Sequence, residues 1–461
     1  MHRMAPWSER ALRVALSIVL LCVPMQAGAG NLSILLCNNV NVDLFDCVDL
    51  VNLYNATDGD NWVNHTNWGS NDVDSWYGVI VDPLSGRVIA LDLALNGLDG
   101  EFPPSWIGLQ ALQFLQLSSN ALRGELPEYI GDLQSLTFLQ VGFNILEGPL
   151  PDSLGNLTLL ENLFLGGNQF SGPLPAGIGN LLQLEVLDVF SDSFDAGGRL
   201  TGPLPDLSGL TRLRRIGLDA NRLEGPFPTY LDQMPMLEEL RLRGNRLSGP
   251  LPANVGSLGQ LRVLDLAGNQ LIGAMPSTLG NLGALEELDL SFNDFTSTLP
   301  SALGDLAQLR VLRIAGNPLE ARPQVTGPIP AALANLNQLE ELNLEFNRLS
   351  GALPECLGDL GNLSVLSLQA NDLVGPVPEA FSALGLNTLY LGLNFLDADQ
   401  DDRLILSPTL QTWFNGIPNT VDIIAGLGFL DSLDQRPVVG DPDVVFASGF
   451  EGLPSNSCTG A

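Results

Sequence analysis

The sequence predicts an α/β-type solenoid of about 13 coils, with a parallel sheet on one face and a cap at each end. Three observations predict this fold class. The pattern LxxLxLxxN recurs along the chain of 461 residues, most often 24 residues after its previous copy. An apolar residue followed by Pro, such as Leu126-Pro127, recurs downstream of the pattern. The hydrophobic content of 45% excludes a disordered chain. Such a chain buries one long core by stacking its coils.

The repeats are numbered here from 1 to 13 by the first apolar residue of each pattern. These residues are Val88, Leu112, Leu136, Leu160, Leu184, Leu213, Leu237, Leu261, Leu285, Leu309, Leu339, Leu363 and Leu386. The Asn of the pattern is replaced in one repeat, by Asp192. It is present as Asn96, Asn120, Asn144, Asn168, Asn221, Asn245, Asn269, Asn293, Asn317, Asn347, Asn371 and Asn394. We therefore expect an Asn ladder along the stack.

Each part of the pattern has a physical reason. The LxL residues point into the shared core, and the residues between them face solvent on a short strand. The Asn amide has two donors and one acceptor for backbone groups that would otherwise be buried without partners. Gly before the apolar-Pro pair allows a tight backbone path. Pro lacks a backbone donor, so we expect the second side of the coil not to form a full sheet.

This pattern resembles the leucine-rich repeat family, and its second half, LxGxLPxxLGxL, is similar to the plant-type subclass that also occurs in exported bacterial proteins. The resemblance covers residues 88–396 and implies a right-handed superhelix whose parallel sheet is used for binding. The chain departs from the family pattern at Ser297, which replaces Gly, and at Asp192. Two insertions, at 193–199 and 320–325, are expected to form loops that leave the stack intact.

The segments outside the repeats divide the rest of the chain. Residues 1–29 have a basic start, a short apolar stretch and a small-residue cleavage site near Ala29, which indicates a signal peptide. Residues 30–87 contain LYNATDGDNW and WYGV and resemble the N-terminal cap of bacterial leucine-rich repeat proteins. We expect a C-terminal cap at 397–430 and a tail at 431–461. A later apolar run long enough to span a membrane is absent, so the sequence predicts a secreted or cell-surface protein, and the tail favours a bacterial source.

Charge and composition exclude several function classes. The formal net charge is -32, and all 20 basic residues are Arg, so a nucleic-acid partner is not expected. Beyond the signal peptide the chain has one His, His65, and it has no Lys, so most catalytic and metal sites lack their residues. The acidic turn at 397–402 lacks the Gly and Glu of a calcium loop, which favours a solvated turn. We therefore expect no enzymatic activity, no cofactor and no metal.

A carboxylate glycosidase is the remaining catalytic alternative. Asp265 and Asp289 occupy the same position in adjacent repeats, at about the spacing that a retaining glycosidase uses. Arg241 and Arg313 flank them, so charge balance on an open surface explains all four residues. We expect no desolvated pocket that would shift a carboxyl pKa on this face.

Four cysteines remain after the signal peptide. Cys37 and Cys47 are ten residues apart in an exported chain, a spacing compatible with a disulfide. Cys356 is expected to be a small buried side chain, and its pairing with Cys458 stays open.

The candidate binding site is the exposed face of the sheet, at the second, fourth and sixth residues after each first apolar residue. The candidates are Phe114, Gln116, Phe138, Gln140, Asn162, Phe164, Phe190, Arg215, Arg241, Arg243, Asp265, Asp289 and Arg313, together with Phe143, which lies just beyond these positions. Solvated strands rarely expose so many Phe side chains, although these rings can also pack on each other as ordinary cross-strand pairs.

These residues favour a monomeric, non-catalytic binding module for an extracellular protein, peptide or polysaccharide. The alternatives are an inhibitor of a polysaccharide-degrading enzyme, as in plant inhibitors of the same subclass, a carbohydrate-binding protein and a structural surface protein. The fold provides the binding platform, and a few exposed residues decide the ligand.

Overall fold

The computed structural model describes residues 31–191, 198–317, 324–396 and 406–420. The predicted signal peptide, Asp192, most of both insertions, the acidic turn at 397–402, Cys458 and the tail at 431–461 lie outside the described residues. The proposed domain boundaries at these segments stay predictions.

A parallel sheet runs the length of the stack, as predicted, and is called the first sheet. Its strands join repeat to repeat in order, and only the first pair is antiparallel. The strands are Val79–Val81, Val88–Asp92, Phe114–Gln116, Phe138–Gln140, Asn162–Phe164, Val186–Asp188, Arg215–Gly217, Glu239–Arg241, Val263–Asp265, Glu287–Asp289, Val311–Arg313, Glu341–Asn343, Val365–Ser367, Thr388–Tyr390 and Asn419–Thr420. In each repeat the LxL residues, such as Leu115 and Leu117, are fully buried in one continuous core.

The other side of the coil forms sheets as well, which corrects the expectation that Pro prevents them. Nine strands pair as Asp99–Glu101, Ala121–Glu125, Ile145–Pro149, Gln169–Pro173, Leu200–Gly202, Arg222–Pro226, Arg246–Pro250, Gln270–Gly273 and Asp294–Phe295, and four more as Thr326–Gly327, Arg348–Ala352, Asp372–Gly375 and Phe395–Leu396. We call these strands the second sheet. The apolar-Pro pair follows the strand, as Leu150-Pro151 follows Ile145–Pro149, so the missing donor of that Pro costs no ladder hydrogen bond.

The second sheet breaks at Ser297, which replaces the Gly of the repeat pattern. In the neighbouring repeats that Gly has a left-handed backbone, with φ of 79° at Gly273 and 77° at Gly327. Ser297 does not have a positive φ. Gly adopts this conformation at no steric cost, whereas a residue with a Cβ, such as Ser, is disfavoured in it. Among the described residues, the pairing between the two repeats continues only as an isolated bridge from Thr298 to Thr326.

Short 3-10 helices follow the second-sheet strands in repeats 2–4 and 6–12, and Pro precedes each of them. In the repeats they are Glu128–Asp132, Asp152–Asn156, Ala176–Asn180, Thr229–Gln233, Ala253–Ser257, Ser277–Asn281, Ser301–Asp305, Ala331–Asn335, Glu355–Asp359 and Glu379–Ala383, and three more precede the repeats at Ile34–Asn39, Gly59–Asn61 and Val73–Ser75. These turns stack closely. A Cβ on Gly256 would overlap the Thr278 carbonyl oxygen of the next repeat.

The Asn ladder forms as predicted. Asn269 shows its geometry: its amide donates to the carbonyl oxygens of Leu242 at 2.9 Å and Leu266 at 3.0 Å, and its Oδ1 accepts from the Leu247 N–H at 3.0 Å. Each ladder Asn thus holds the backbone of its own repeat and of the preceding one. The same bonds are made by Asn120, Asn144, Asn168, Asn221, Asn245, Asn293, Asn347, Asn371 and Asn394.

The segment before repeat 1 packs on the first coil through helix α1, Leu44–Ala56. The buried Asp46 carboxylate accepts the Val88 N–H at 2.8 Å and pairs with Arg87 at 2.9 Å. Aromatic rings in mutual contact lie beside it: Tyr54, Trp62, Trp68 and Trp76. The predicted disulfide between Cys37 and Cys47 is confirmed, with an S–S distance of 2.02 Å, and Cys356 is buried as expected.

Helix α2, Pro408–Asn415, packs on the last coil. Trp413 donates its indole N–H to the Leu384 carbonyl at 2.9 Å, and Leu410 is buried. Within the described ranges, neither helix is long and apolar enough to cross a bilayer.

Candidate functional site

The open face of the first sheet carries the predicted site residues, in columns set by strand pairing. We use the term open face for the side chains at the second, fourth and sixth positions after each first apolar residue. The register is regular: Phe114 pairs with Phe138, and Asp265 pairs with Asp289. Because strands are about 4.8 Å apart, side chains in one column contact each other.

An aromatic patch covers repeats 2–4. The rings of Phe114 and Phe138 stack with centroids 4.5 Å apart, and Phe138 and Phe164 are 5.6 Å apart. All three side chains are half-buried. The rings therefore pack on each other, as cross-strand pairing predicts, and still present apolar surface to solvent.

A second aromatic pair, Phe143 and Phe190, lies beside this patch. Their centroids are 5.6 Å apart in an edge-to-face arrangement. The two rings lie over bare backbone, because a Cβ on Gly166 would overlap the Phe190 ring and one on Gly167 would be 2.7 Å from Phe143 Cδ1. The repeat pattern did not predict that these rings lie over glycine backbone. The signal that could have predicted it is the Gly166-Gly167 pair, at positions where most other repeats carry at least one side chain.

Phe143 is an exposed ring at a position where the repeats have a left-handed backbone. Its φ is 55°, and 52% of the residue is exposed. The positive φ belongs to the repeat and not to Phe143 alone, because Gly fills the position in repeats 4, 7 and 8, and the same conformation occurs at Leu95, Ser119, Ala220, Phe292, Phe346, Ala370 and Leu393. Burial does not explain the Phe143 ring, which adds apolar surface beside the aromatic patch.

Amides separate the rings in these repeats. Gln116, Gln140 and Asn162 are half-buried on strands of the first sheet. The Gln116 Oε1 atom is buried, and it has no hydrogen-bond partner among the described residues. Repeats 2–4 of the open face thus combine rings and amides without a charge.

The candidate Arg residues are all engaged in ion pairs. Arg215 pairs with Asp188 at 2.9 Å, and Arg243 pairs with Asp289 at 3.5 Å. The side chain of Arg313 contacts Glu341 at 2.6 Å and Glu287 at 3.2 Å, and Arg241 contacts Glu239 at 3.4 Å and Glu287 at 3.9 Å.

The predicted charge balance along Arg241, Asp265, Asp289 and Arg313 is only partly correct. Arg313 approaches Asp289 at 4.0 Å. Arg241 pairs with Glu side chains instead of Asp265, and within the described ranges no Arg lies within 4.0 Å of the Asp265 carboxylate. The long side chain of an Arg can reach several carboxylates, so the position of the Arg in the repeat does not determine which carboxylate it pairs with.

The expectation that no carboxylate on this face is desolvated is wrong. Asp265 is 7% exposed and Asp289 is 2% exposed, because side chains of neighbouring repeats crowd the central column. Burial raises the pKa of Asp265 to about 6, with a further rise from the Asp289 charge. Burial also raises the pKa of Asp188 and of Asp219.

Replacing Asp265 by Asn should stabilise the protein at neutral pH. A carboxyl whose pKa is raised from 3.8 to about 6 favours folding fully below pH 3.8, and this contribution is lost as pH rises through about 6. A neutral Asn avoids that loss and keeps an oxygen for the Ala267 N–H, which donates at 3.0 Å. We expect a gain of about 1–3 kcal/mol in unfolding free energy at pH 7.5 and little change near pH 4.

Urea unfolding at both pH values measures this gain. The exposed Asp232 is a matched control, because Asp232→Asn removes the same charge outside the face. An equal gain in both variants, or a gain independent of pH, would contradict the role assigned to burial.

The fold and the open face define a solenoid that presents a continuous binding surface. The chain belongs to the leucine-rich repeat family: the model described as a leucine-rich repeat region matches residues 104–251 and 229–381. No protein of curated function matches the chain in sequence.

Solved structures of plant proteins share the fold. The PEPR1–AtPEP1 complex has a TM-score of 0.68 and 26% identity over 82% of this chain and 55% of that one. A TDR receptor has a TM-score of 0.61 and 28% identity, with coverage of 72% and 59%. The Arabidopsis receptor kinase HAESA ectodomain, in complex with an IDA peptide hormone ligand, has a TM-score of 0.59 and 27% identity, with coverage of 76% and 65%. The chain thus spans less than two thirds of each of these proteins.

Proposed function

We propose that the protein is an extracellular, non-catalytic module that binds a peptide or protein segment along the open face. The observation that carries this proposal is the aromatic patch of Phe114, Phe138 and Phe164, with Phe143 and Phe190 beside it. Half-buried rings held by their neighbours lose little entropy on binding and provide large apolar contact area.

The open face changes character along its length, which orients a ligand. Repeats 2–4 carry rings and amides, while repeats 5–11 carry more carboxylates than Arg side chains. The carboxylates are Asp188, Asp219, Glu239, Asp265, Glu287, Asp289, Glu341 and Glu345, and the Arg side chains are Arg215, Arg241, Arg243 and Arg313. A ligand that is apolar at one end and basic at the other complements this face.

Similar structures support a peptide ligand, since HAESA is described in complex with a peptide hormone. Secretion or display at the cell surface agrees with the Cys37–Cys47 disulfide, which is typical of oxidising compartments. We further propose that the signal peptide is cleaved near Ala29 and that the protein acts as a monomer, without a catalytic step.

A screen of the secreted protein on peptide, exported-protein and glycan arrays tests this function. The variant Phe114→Ser, Phe138→Ser, Phe164→Ser should bind a hit at least about tenfold more weakly, because it loses three aromatic contacts. The control replaces the exposed Ile145, Ile272 and Phe395 of the second sheet by Ser. Equal binding by both variants would remove the patch from the site.

Inhibition of a polysaccharide-degrading enzyme is the second candidate. The carboxylate excess of repeats 5–11 favours it, because a basic enzyme surface would complement this region. An exported enzyme among the array hits, inhibited by the protein in a sugar-release assay, would support this candidate over a peptide ligand.

A further inference from the structure

The open face contains a small recess at repeats 8–10. Its floor is the pair Asp265 and Asp289, aligned on adjacent strands. At the sixth position of these repeats the side chains are small: Ala267, Ser291 and Ala315 are all buried. Longer side chains stand at both ends, Arg241 and Arg243 in repeat 7 and Arg313 in repeat 10. The two carboxylates therefore lie lower than these Arg side chains, in a shallow depression.

Asp265 lacks a counter-ion in this recess. Its Oδ1 accepts the Ala267 N–H, and among the described residues its Oδ2 has neither a hydrogen bond nor an ion pair. Solvent still reaches Oδ2, since it is absent from the buried unpartnered atoms. Asp289, in contrast, has a partner at both oxygens. Its Oδ1 accepts the Ser291 N–H at 3.0 Å, and its Oδ2 pairs with Arg243 at 3.5 Å.

Two nearly buried carboxylates side by side repel each other, and burial adds a desolvation cost to each. Arg241 and Arg313 contact Glu side chains, so neither pairs with Asp265. The positive charge of Arg243 acts on Asp265 from a distance, but its guanidinium pairs with Asp289. Lys is absent from the sequence. A positive group from outside the chain would remove this cost.

We propose that the Asp265–Asp289 recess binds a cationic side chain of the partner, an alkylammonium or a guanidinium group. This inference rests on the proposed function of the open face and narrows its ligand to one with a basic residue. The group would hydrogen-bond Asp265 Oδ2 and place its alkyl stem over the small side chains.

A metal ion fits the recess poorly. The described residues include no cluster of three or more side chains arranged to hold a metal, and Ca²⁺ needs six to eight oxygen ligands. One positive charge with directional N–H donors matches two adjacent carboxylates of which Asp265, among the described residues, has no ion-pair partner.

Binding should be linked to pH, since the cation needs an ionised Asp265. Burial holds the pKa of Asp265 at about 6 in the free protein, so affinity should fall as pH drops below that value. The charged groups that surround it come from repeats 6, 7, 9 and 10 and are Asp219, Glu239, Arg241, Arg243, Glu287, Asp289 and Arg313.

A small probe tests the recess without knowledge of the natural ligand. In NMR titrations at near-physiological salt, n-butylguanidinium should shift the Ala267 amide signal saturably at pH 7.5. The neutral analogue N-butylurea should not. The variant Asp265→Asn should weaken binding at least about tenfold, while Asp232→Asn, with the same charge change, should bind as wild type. Equal shifts in both variants, or no saturable shift in wild type, would overturn the proposal.

Selection from a random peptide library separates this inference from the proposed function. Wild-type protein should enrich peptides with Arg or Lys at a fixed position, and Asp265→Asn should lose that preference. Enriched peptides without a basic position would overturn the cation recess and leave the peptide-binding function standing. If no peptide is enriched, the proposed function fails, and the n-butylguanidinium titration still decides the recess. Because Asp265→Asn is expected to be the more stable protein at pH 7.5, unfolding cannot explain its lost binding.

Discussion

Replacing Asn269 by Ala should lower the free energy of unfolding by about 2–4 kcal/mol. The substitution removes the amide that serves the Leu242 and Leu266 carbonyls and the Leu247 N–H. The buried Leu247 N–H loses the acceptor that the ladder gives it, which costs about 1–3 kcal/mol. Each carbonyl loses one of two donors at a smaller cost, because Asn245 still donates to Leu242 and Asn293 to Leu266. Because two of these groups belong to the preceding repeat, the loss weakens the contact between repeats 7 and 8.

Urea unfolding followed by circular dichroism measures this loss. The control is Gln270→Ala at the adjacent exposed residue, which should change stability by less than about 0.5 kcal/mol. If Asn269→Ala unfolded at the same urea concentration as this control, the ladder would have no role in stability.

Replacing Gly256 by Ala should destabilise the protein by about 2–3 kcal/mol. The new Cβ would overlap the Thr278 carbonyl oxygen and lie 2.7 Å from Thr278 Cβ, so the backbone of one repeat must move. Gly259, three residues further on, has no atom within 4 Å of an added Cβ.

The same substitution at Gly259 is therefore a close control. Gly259→Ala should leave stability unchanged or raise it by about 0.5 kcal/mol, because Ala reduces the entropy of the unfolded chain. Thermal unfolding of both variants checks the pair. Equal melting temperatures would show that the 3-10 turns of adjacent repeats do not touch as closely as the structure indicates.

The repeat pattern was sufficient to predict the fold, because each recurring position has one physical task. LxL fills the core, and the Asn bonds the backbone, as seen at Asn269. The pairing of Phe114 with Phe138 also followed from position alone, and Phe164 lies diagonally to Phe138 on the next strand.

Other features depend on packing between repeats, which the position of a residue within its repeat does not determine. Arg241 could reach Asp265 or Glu239, and only packing selects the Glu. Asp265 is buried by side chains of adjacent repeats, and the sequence of a single repeat does not predict this burial. The second-sheet strands were not predicted, because Pro was expected to keep that side from forming a full sheet. The apolar-Pro pair lies just after the strand, where its missing donor does not matter.

The break of the second sheet at Ser297 has a mechanical consequence. On either side of it, two sheets join each coil to the next, but between repeats 9 and 10 the described residues add only an isolated bridge to the first sheet. A stack joined by two sheets resists bending more than a stack joined by one, so we expect bending to concentrate at this joint. Such a joint would let the last third of the solenoid swing relative to the aromatic patch and adjust its reach to ligands of different length.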